Sequence, residues 1–166
     1  MDKLETVSFV EAYLRNTYPG RSRPYTSTLG TGVGKGIYVI ETDSTLAILG
    51  PKTTQRPEPF LSLLCALATG VPESLELYKF VNDINYNAWF GTTHVQLRSD
   101  GLASVLSALL VPMEPVALSR PESITWVTIM LNTVLSTAEQ KAAELVAKLG
   151  GQRFPTEHVD ALFMMS

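Results

Sequence analysis

Three stretches of the chain carry apolar residues at helical spacing, with polar residues between them. The first, residues 3–17, is followed by Pro19, which stops a helix. The last follows Ser119-Arg-Pro-Glu122, which has the spacing of a capping box, and runs to Gly150. The pattern therefore predicts an amphipathic N-terminal helix and a long C-terminal helix.

The middle stretch, residues 73–90, is the most apolar of the three around its circumference. Its helical stripe, which two aromatic residues widen, consists of Leu77, Val81, Ile84 and Ala88. Pro72 precedes it, at a position where the missing N–H costs nothing. The sequence predicts a helix that Pro72 opens, that lies at the centre of the fold and that is covered on more than one side.

Between these helices, alternating or β-branched runs predict strands. Residues 26–29, after a polar loop, predict a first strand, and residues 37–42 and 45–49 predict a hairpin. Residues 92–98 and 103–111 predict a second hairpin after the middle helix. The expected fold class is therefore α+β, with helix, three antiparallel strands, central helix, two strands and a long C-terminal helix.

One apolar run between the predicted strands is ambiguous. Gly50-Pro51 is predicted to end the first hairpin, and a proline-containing loop follows it. The next run, residues 60–68, has the Leu and Ala content of a helix but the length and proline flanks of a buried strand. Cys65 within it is predicted to be a small core residue.

The glycine-rich stretch GTGVGKG, from Gly30 to Gly36, resembles a phosphate-binding loop only superficially. A Walker loop needs a glycine five positions before its Gly-Lys pair, then Ser or Thr, then a helix. Here Leu29 occupies the first position, Gly36 follows Lys35, and the next residues predict a strand. A hairpin loop is the better interpretation, and an adaptable binding edge is the alternative.

Composition and charge narrow the function classes. The 166 residues fit one domain, with 45% hydrophobic and 17% charged residues. A net charge of −3 with scattered basic residues argues against nucleic acid as a partner. The single cysteine excludes an intrachain disulfide, and the sequence shows neither a signal peptide nor a membrane span. A cytoplasmic location is the expectation.

The sequence offers little material for catalysis. His94 and His158 are the only histidines, and no HExxH, GxSxG or CxxC motif occurs. A triad or a metal site needs several such groups to converge. We therefore expect no catalytic residues, no metal site, no cofactor and no enzymatic activity.

Five residues are candidates for binding a protein. Asn82 and Asn85 lie three positions apart on the middle helix, where asparagine is unfavourable unless its side chain bonds to something. That something is either the backbone of a neighbouring strand or loop, or a partner. Trp89, Phe90 and Trp126 are core residues by default, although tryptophan is also common at protein interfaces.

The element order and the string LYKFVNDINYNAWF, which feeds a strand through Trp89-Phe90-Gly91, resemble the YbjN-type family. The fold of that family is similar to that of type III secretion chaperones. The resemblance covers residues 1–150 and favours a strand for residues 60–68. It implies a non-enzymatic, often dimeric α+β module that binds protein, with residues 1–151 as the domain and residues 152–166 as a C-terminal tail.

Two functional hypotheses follow. The first is a cytoplasmic, chaperone-like or regulatory homodimer that holds an extended segment of a client protein. The second is a regulator that binds a small ligand or nucleotide through the loop from Gly30 to Gly36.

Overall fold

The structure is a computed structural model that describes residues 3–26, 36–52, 60–113 and 120–165. Within these ranges the α-helices are α1 (Lys3–Thr17), α2 (Leu75–Asn87), α3 (Pro121–Leu149) and α4 (Val159–Met165). The strands are β1 (Ser22–Pro24), β2 (Tyr38–Glu41), β3 (Leu46–Lys52), β4 (Phe60–Pro72), β5 (Thr92–Leu97) and β6 (Leu102–Pro112). The predicted α+β class, the predicted N-terminal helix (α1) and the predicted long helix (α3) are confirmed.

All the described strands form one antiparallel sheet in the order β1-β2-β3-β4-β6-β5. Apolar residues on its first face pack against α1, α2 and α3. Its second face packs against Phe154 and the short helix α4. Because side chains alternate between the faces of a strand, the middle strands β3 and β4 must be apolar on both.

This two-sided burial explains the ambiguous run at residues 60–68. It belongs to β4, which is 13 residues long, and its side chains alternate between two apolar layers. A strand covered on both faces has a nearly continuous apolar sequence, so the alternation that identifies a strand is lost. Cys65 lies inside it and is fully buried, as predicted.

The boundaries of the first strands differ from the prediction. β1 is Ser22–Pro24, within the predicted loop, whereas residues 27–29 of the predicted strand lie outside the described residues. Strand β3 continues through Gly50 and Pro51 to Lys52. Proline fits there because β2 pairs with β3 only as far as Leu49, so no β2 partner needs the N–H that Pro51 lacks.

The starts of two helices also differ. Pro72 is the last residue of β4, and α2 begins only at Leu75, where the Ser74 hydroxyl accepts a hydrogen bond from the Leu77 N–H at 3.1 Å. At α3 the N-cap is Arg120, which makes no side-chain capping bond, so the predicted capping box does not start this helix. Ser119 itself lies outside the described residues.

Helix α2 has the predicted place in the element order, but the prediction that it is covered on more than one side is wrong. Only Leu77, Val81 and Ile84 of this helix are buried, and Tyr86 is 89% exposed. Helix α2 lies over β5, the last strand of the sheet, and beside α3. A helix at the margin of a sheet buries one stripe, and its aromatic residues outside that stripe face solvent.

The tail crosses to the second face of the sheet after Gly150 and Gly151. Gln152 and Thr69 exchange two backbone hydrogen bonds at 2.9 Å, which fix this crossing to β4. Arg153 then donates to a carboxylate oxygen of Glu41 at 3.2 Å and to the carbonyl of Thr42 at 3.0 Å. The division into a domain and a tail at residue 151 stays a prediction.

Candidate functional site

Asn85 acts as a substitute for a neighbouring strand. Its Oδ1 accepts from the N–H of Thr93 and its Nδ2 donates to the carbonyl of Thr93, both at 2.7 Å. The side chain thus satisfies both backbone groups of one residue in the edge strand β5. Of the two alternatives for this asparagine, the structure shows the bond to strand backbone.

This contact identifies which backbone groups of β5 face away from the sheet. Arg98 N–H donates to the carbonyl of Leu102 at 2.8 Å, so even-numbered residues of this strand bond to β6. Alternate residues of an edge strand direct their N–H and C=O outward. The outward residues are therefore Thr93, which Asn85 satisfies, and Val95 and Leu97.

Asn82 has a different environment from Asn85. It is exposed and lines a broad depression of about 730 Å³ between α2 and the end of α3. Tyr86, Lys148 and Leu149 line the same depression. The prediction that this residue binds protein remains a prediction.

A narrower cavity of about 350 Å³ lies between the C-terminal half of α2 and the middle of α3. Its lining includes Phe80 of α2, Trp89 and Phe90 of the connection to β5, and Thr133 of α3. Trp89 is 87% exposed, whereas Phe90 is half-buried and packs against the core. We call this cavity, together with the depression beside it, the α2–α3 groove.

The connection that carries the two aromatic residues is held closely against the sheet. Gly91 has φ +75°, and a Cβ at this position would lie 2.9 Å from the carbonyl oxygen of Ala108 and 3.1 Å from a methyl group of Val134. Only glycine fits so near the strand in this conformation. The tight turn places Trp89 and Phe90 at the wall of the groove.

Trp126 lies on the same side of α3 as the groove. Residues 126, 130, 133, 137 and 141 follow one another at spacings of three or four, which places them in one stripe along the helix. Trp126 is 59% exposed and precedes Thr133 by seven residues, about 10 Å along the axis. The stripe therefore extends the groove toward the N-terminus of α3.

The other end of the groove is charged but internally paired. Lys141 and Lys148 each lie 2.6 Å from a carboxylate oxygen of Glu144, and these contacts lower the pKa of that carboxyl to about 2. The Lys141 ammonium also lies 5.8 Å from the centre of the Phe80 ring. This end has little net charge, so the exposed aromatic residues Trp89 and Tyr86 are the main apolar feature of the groove.

Reactive groups are few in the described part of the chain. Burial raises the pKa of the Cys65 thiol to about 12, so it is a poor nucleophile. His94 and His158 are exposed. Among residues 3–26, 36–52, 60–113 and 120–165, no three His, Cys, Asp or Glu side chains are grouped to hold a metal ion. No helix in these ranges is long and apolar enough to cross a bilayer.

The sequence predicted some groove residues and missed others. It identified Trp89 and Phe90 in the groove and Trp126 on the stripe that continues it, but not Phe80, Thr133, Thr137 and Lys141. The stripe on α3 could have pointed to the last three, because Trp126 lies at helical spacing from them. Gly36 is described, with φ +81°, but Gly30 to Lys35 lie outside the described residues, so the ligand-binding alternative stays a prediction.

Comparison with known proteins supports the fold. No protein-family model matches the chain. No curated protein matches it either. Among solved structures, the chain is similar to YbjN from E. coli, described as a proposed transcription regulator, with a TM-score of 0.52 and 10% sequence identity. The match covers 85% of this chain and 91% of that one. At this identity the similarity shows a YbjN-like fold.

Proposed function

We propose that this YbjN-like chain is a non-enzymatic protein-binding module, chaperone-like or regulatory, that works as a homodimer in the cytoplasm. In this proposal a segment of a client protein lies in the α2–α3 groove. The main observation in its favour is that Trp89 lines the groove with 87% of its surface exposed, while the exposed Trp126 lies on the stripe of α3 that continues it. Contiguous exposed apolar surface marks interaction sites, and tryptophan is enriched at the energetic centres of interfaces.

The shape and polarity of the groove suit a peptide segment. Its aromatic wall offers anchor points, and the hydroxyl of Thr137 can bond to the peptide between them. The hydroxyl of Thr133 donates to the carbonyl of Ile129 and can accept from the peptide. Glu144 is already paired with two lysines. The charged end would therefore select a peptide by the positions of its polar groups along the groove rather than by its net charge. The description of E. coli YbjN as a proposed transcription regulator is compatible with such a module.

The experiment compares two forms of the protein as bait in affinity capture from the native cell lysate. We expect that Trp89→Ala combined with Trp126→Ala loses a protein that the unmodified chain retains, because the double change removes both exposed anchors. Met164→Ala is the matched control, since Met164 is an exposed apolar residue on α4, at the opposite face of the sheet. It should retain the captured protein.

Fluorescence with the purified client then locates the contact. Trp89 and Trp126 are the only tryptophans, so the emission reports on the groove and on the stripe of α3 that continues it. We expect a blue shift on mixing, and the variants Trp89→Phe and Trp126→Phe separate the two contributions. Unchanged emission with a client that still co-purifies would place the binding surface elsewhere and contradict the proposed groove.

A further inference from the structure

The two edges of the sheet are unequal. At the β1 edge, Arg21 and Tyr25 use their backbone groups to bond to β2, so Ser22 and Pro24 direct theirs outward. Pro24 has no N–H, and β1 is only three residues long. Short strands and outward prolines are the features by which proteins prevent an edge from accepting another strand.

The β5 edge lacks such protection over half of its length. It contains no proline, lysine or register shift. Asn85 satisfies the outward groups of Thr93, but none of the described side chains bonds to the outward N–H and C=O of Val95 and Leu97. Leu97 is also 51% exposed. The open half of the edge therefore combines free hydrogen-bonding groups with apolar side chains.

We propose that β5 pairs antiparallel with β5 of a second copy, about a two-fold axis that passes between the two Gln96 residues. This inference rests on the proposed homodimer and names its contact surface. In this register Val95 of each copy bonds to Leu97 of the other, so all the open groups of both edges are satisfied. The surface is self-complementary, as a two-fold interface requires.

Asn85 is the residue that selects this register. If the axis passed through Val95, Leu97 would lie opposite Thr93 of the other copy, whose N–H and C=O are already bonded to Asn85. If it passed through Leu97, Val95 would lie opposite Ser99, which belongs to the turn after β5. Only the axis at Gln96 pairs every open group of Val95 and Leu97 with another open group.

The side chains fit the same arrangement. Val95 and Leu97 lie on the helix face of the sheet. Across the seam, Val95 of one copy would contact Leu97 of the other. Tyr78 lies two turns before Asn85 on the same side of α2 and is exposed, so it borders this contact. The second copy would cover apolar surface that a single copy leaves in water.

Cysteine cross-linking tests the register. In the proposed seam the two Gln96 residues are directly opposed in a pair without mutual hydrogen bonds, where Cα atoms lie about 4.5 Å apart. A disulfide fits that separation, so Gln96→Cys should run mostly as a covalent dimer after oxidation with glutathione disulfide. Val95→Cys is the matched control. The two residues at position 95 are diagonal neighbours across the seam, about 7–8 Å apart, so this variant should not cross-link. Cys65 is fully buried and should not contribute.

Light scattering gives the mass of the unmodified protein in solution. It is combined with cross-linking so that a failure of the homodimer can be told apart from a failure of the β5 seam. A dimer that cross-links through Gln96→Cys supports the seam. Cross-linking through Val95→Cys instead overturns the assigned axis. A dimer in which neither cysteine cross-links overturns the β5 seam but leaves the homodimer standing. A monomer at micromolar concentration overturns both the seam and the dimer, whereas client capture by the groove is judged independently.

Asn85→Ala tests the selecting residue. It frees the N–H and C=O of Thr93, which makes the axis through Val95 competitive. We expect cross-linking of Gln96→Cys to fall and that of Val95→Cys to rise in this background. Unchanged yields in an Asn85→Ala protein with a cooperative unfolding transition would show that Asn85 has no part in the register.

Discussion

At the scale of single residues, two close contacts with strand backbone, made by the Asn85 side chain and by Gly91, determine the shape of the candidate site. Asn85 binds both backbone groups of Thr93, and Gly91 brings the next turn against β6. Of the two, Gly91 lines the α2–α3 groove and Asn85 lies outside it. Both determine where the exposed aromatic residues and the open strand edge lie, so we expect their loss to act through position.

The Gly91→Ala variant should be markedly less stable than the wild type. A Cβ would clash with the carbonyl oxygen of Ala108, and φ +75° is unfavourable for alanine. We expect a loss of about 1–3 kcal/mol in the free energy of unfolding, measured by urea denaturation. Gly101→Ala is the control, because Gly101 has φ +76° with no atom near its Cβ. Equal losses in both variants would contradict a role for the close contact.

Residue types indicated which side chains were unusual, but not what they contact. Asn82 and Asn85 look alike in the sequence and both are exposed, yet Asn85 bonds to a strand eight residues later and Asn82 lines the depression beside α3. The difference depends on which side of α2 faces the edge strand. That orientation is a property of packing and cannot be predicted from asparagine spacing alone.

At the scale of elements, the ends of the helices are less predictable than their lengths. The apolar period predicted α1 and α3 to within a few residues. The caps were wrong because proline and serine are common in several boundary structures: Pro72 ends a strand, and Ser74 is the N-cap of α2. The long run in β4 was ambiguous because both its faces are buried.

The cap of α2 is open to a direct test. Ser74→Ala removes the hydroxyl that accepts from the Leu77 N–H, and we expect a loss of about 1 kcal/mol in the free energy of unfolding. Ser136→Ala is the same chemical change inside α3, where alanine is the better helix former and little loss should follow. Thermal or urea unfolding of the two variants gives the comparison. A neutral Ser74→Ala would indicate that water replaces the cap.

At the scale of the whole molecule, the tail closes the second face of the sheet. Phe154, Val159 and Leu162 are buried there, and the Tyr25 hydroxyl donates to Asp160. The sequence showed that these tail residues were apolar, but not which surface they cover. The sheet has an apolar second face only once β2, β3, β4 and β6 are adjacent, which no local pattern reveals.

The polar contacts of the tail should make stability depend on pH. The hydroxyl of Thr156 and the guanidinium of Arg153 bond to Glu41 and lower the pKa of its carboxyl below the ordinary value of 4.5. A depressed pKa contributes stability above the unfolded value, and this contribution disappears as the pH falls through the folded value. We therefore expect the urea concentration at the unfolding midpoint to decrease as the pH is lowered below 4.5.

The variant Glu41→Gln isolates this contribution. It should be less stable than the wild type at pH 7, and the difference between the two midpoints should shrink as the pH falls below 4.5. Thr156→Val removes the largest cause of the lowered pKa of Glu41. We therefore expect the stability of this variant to depend less on pH between 7 and 3 than that of the wild type. A difference that stays constant from pH 7 to pH 3 would contradict the assignment.

The unequal edges of the sheet also limit how large an assembly can grow. A sheet that accepted strands at both sides could add copies without end and form fibres. Here Pro24 withholds a donor at one side, and the open groups at the other side match themselves. In the proposed dimer, pairing by strands therefore stops after one addition, and we expect the mass to reach a plateau at two chains as the protein concentration is raised.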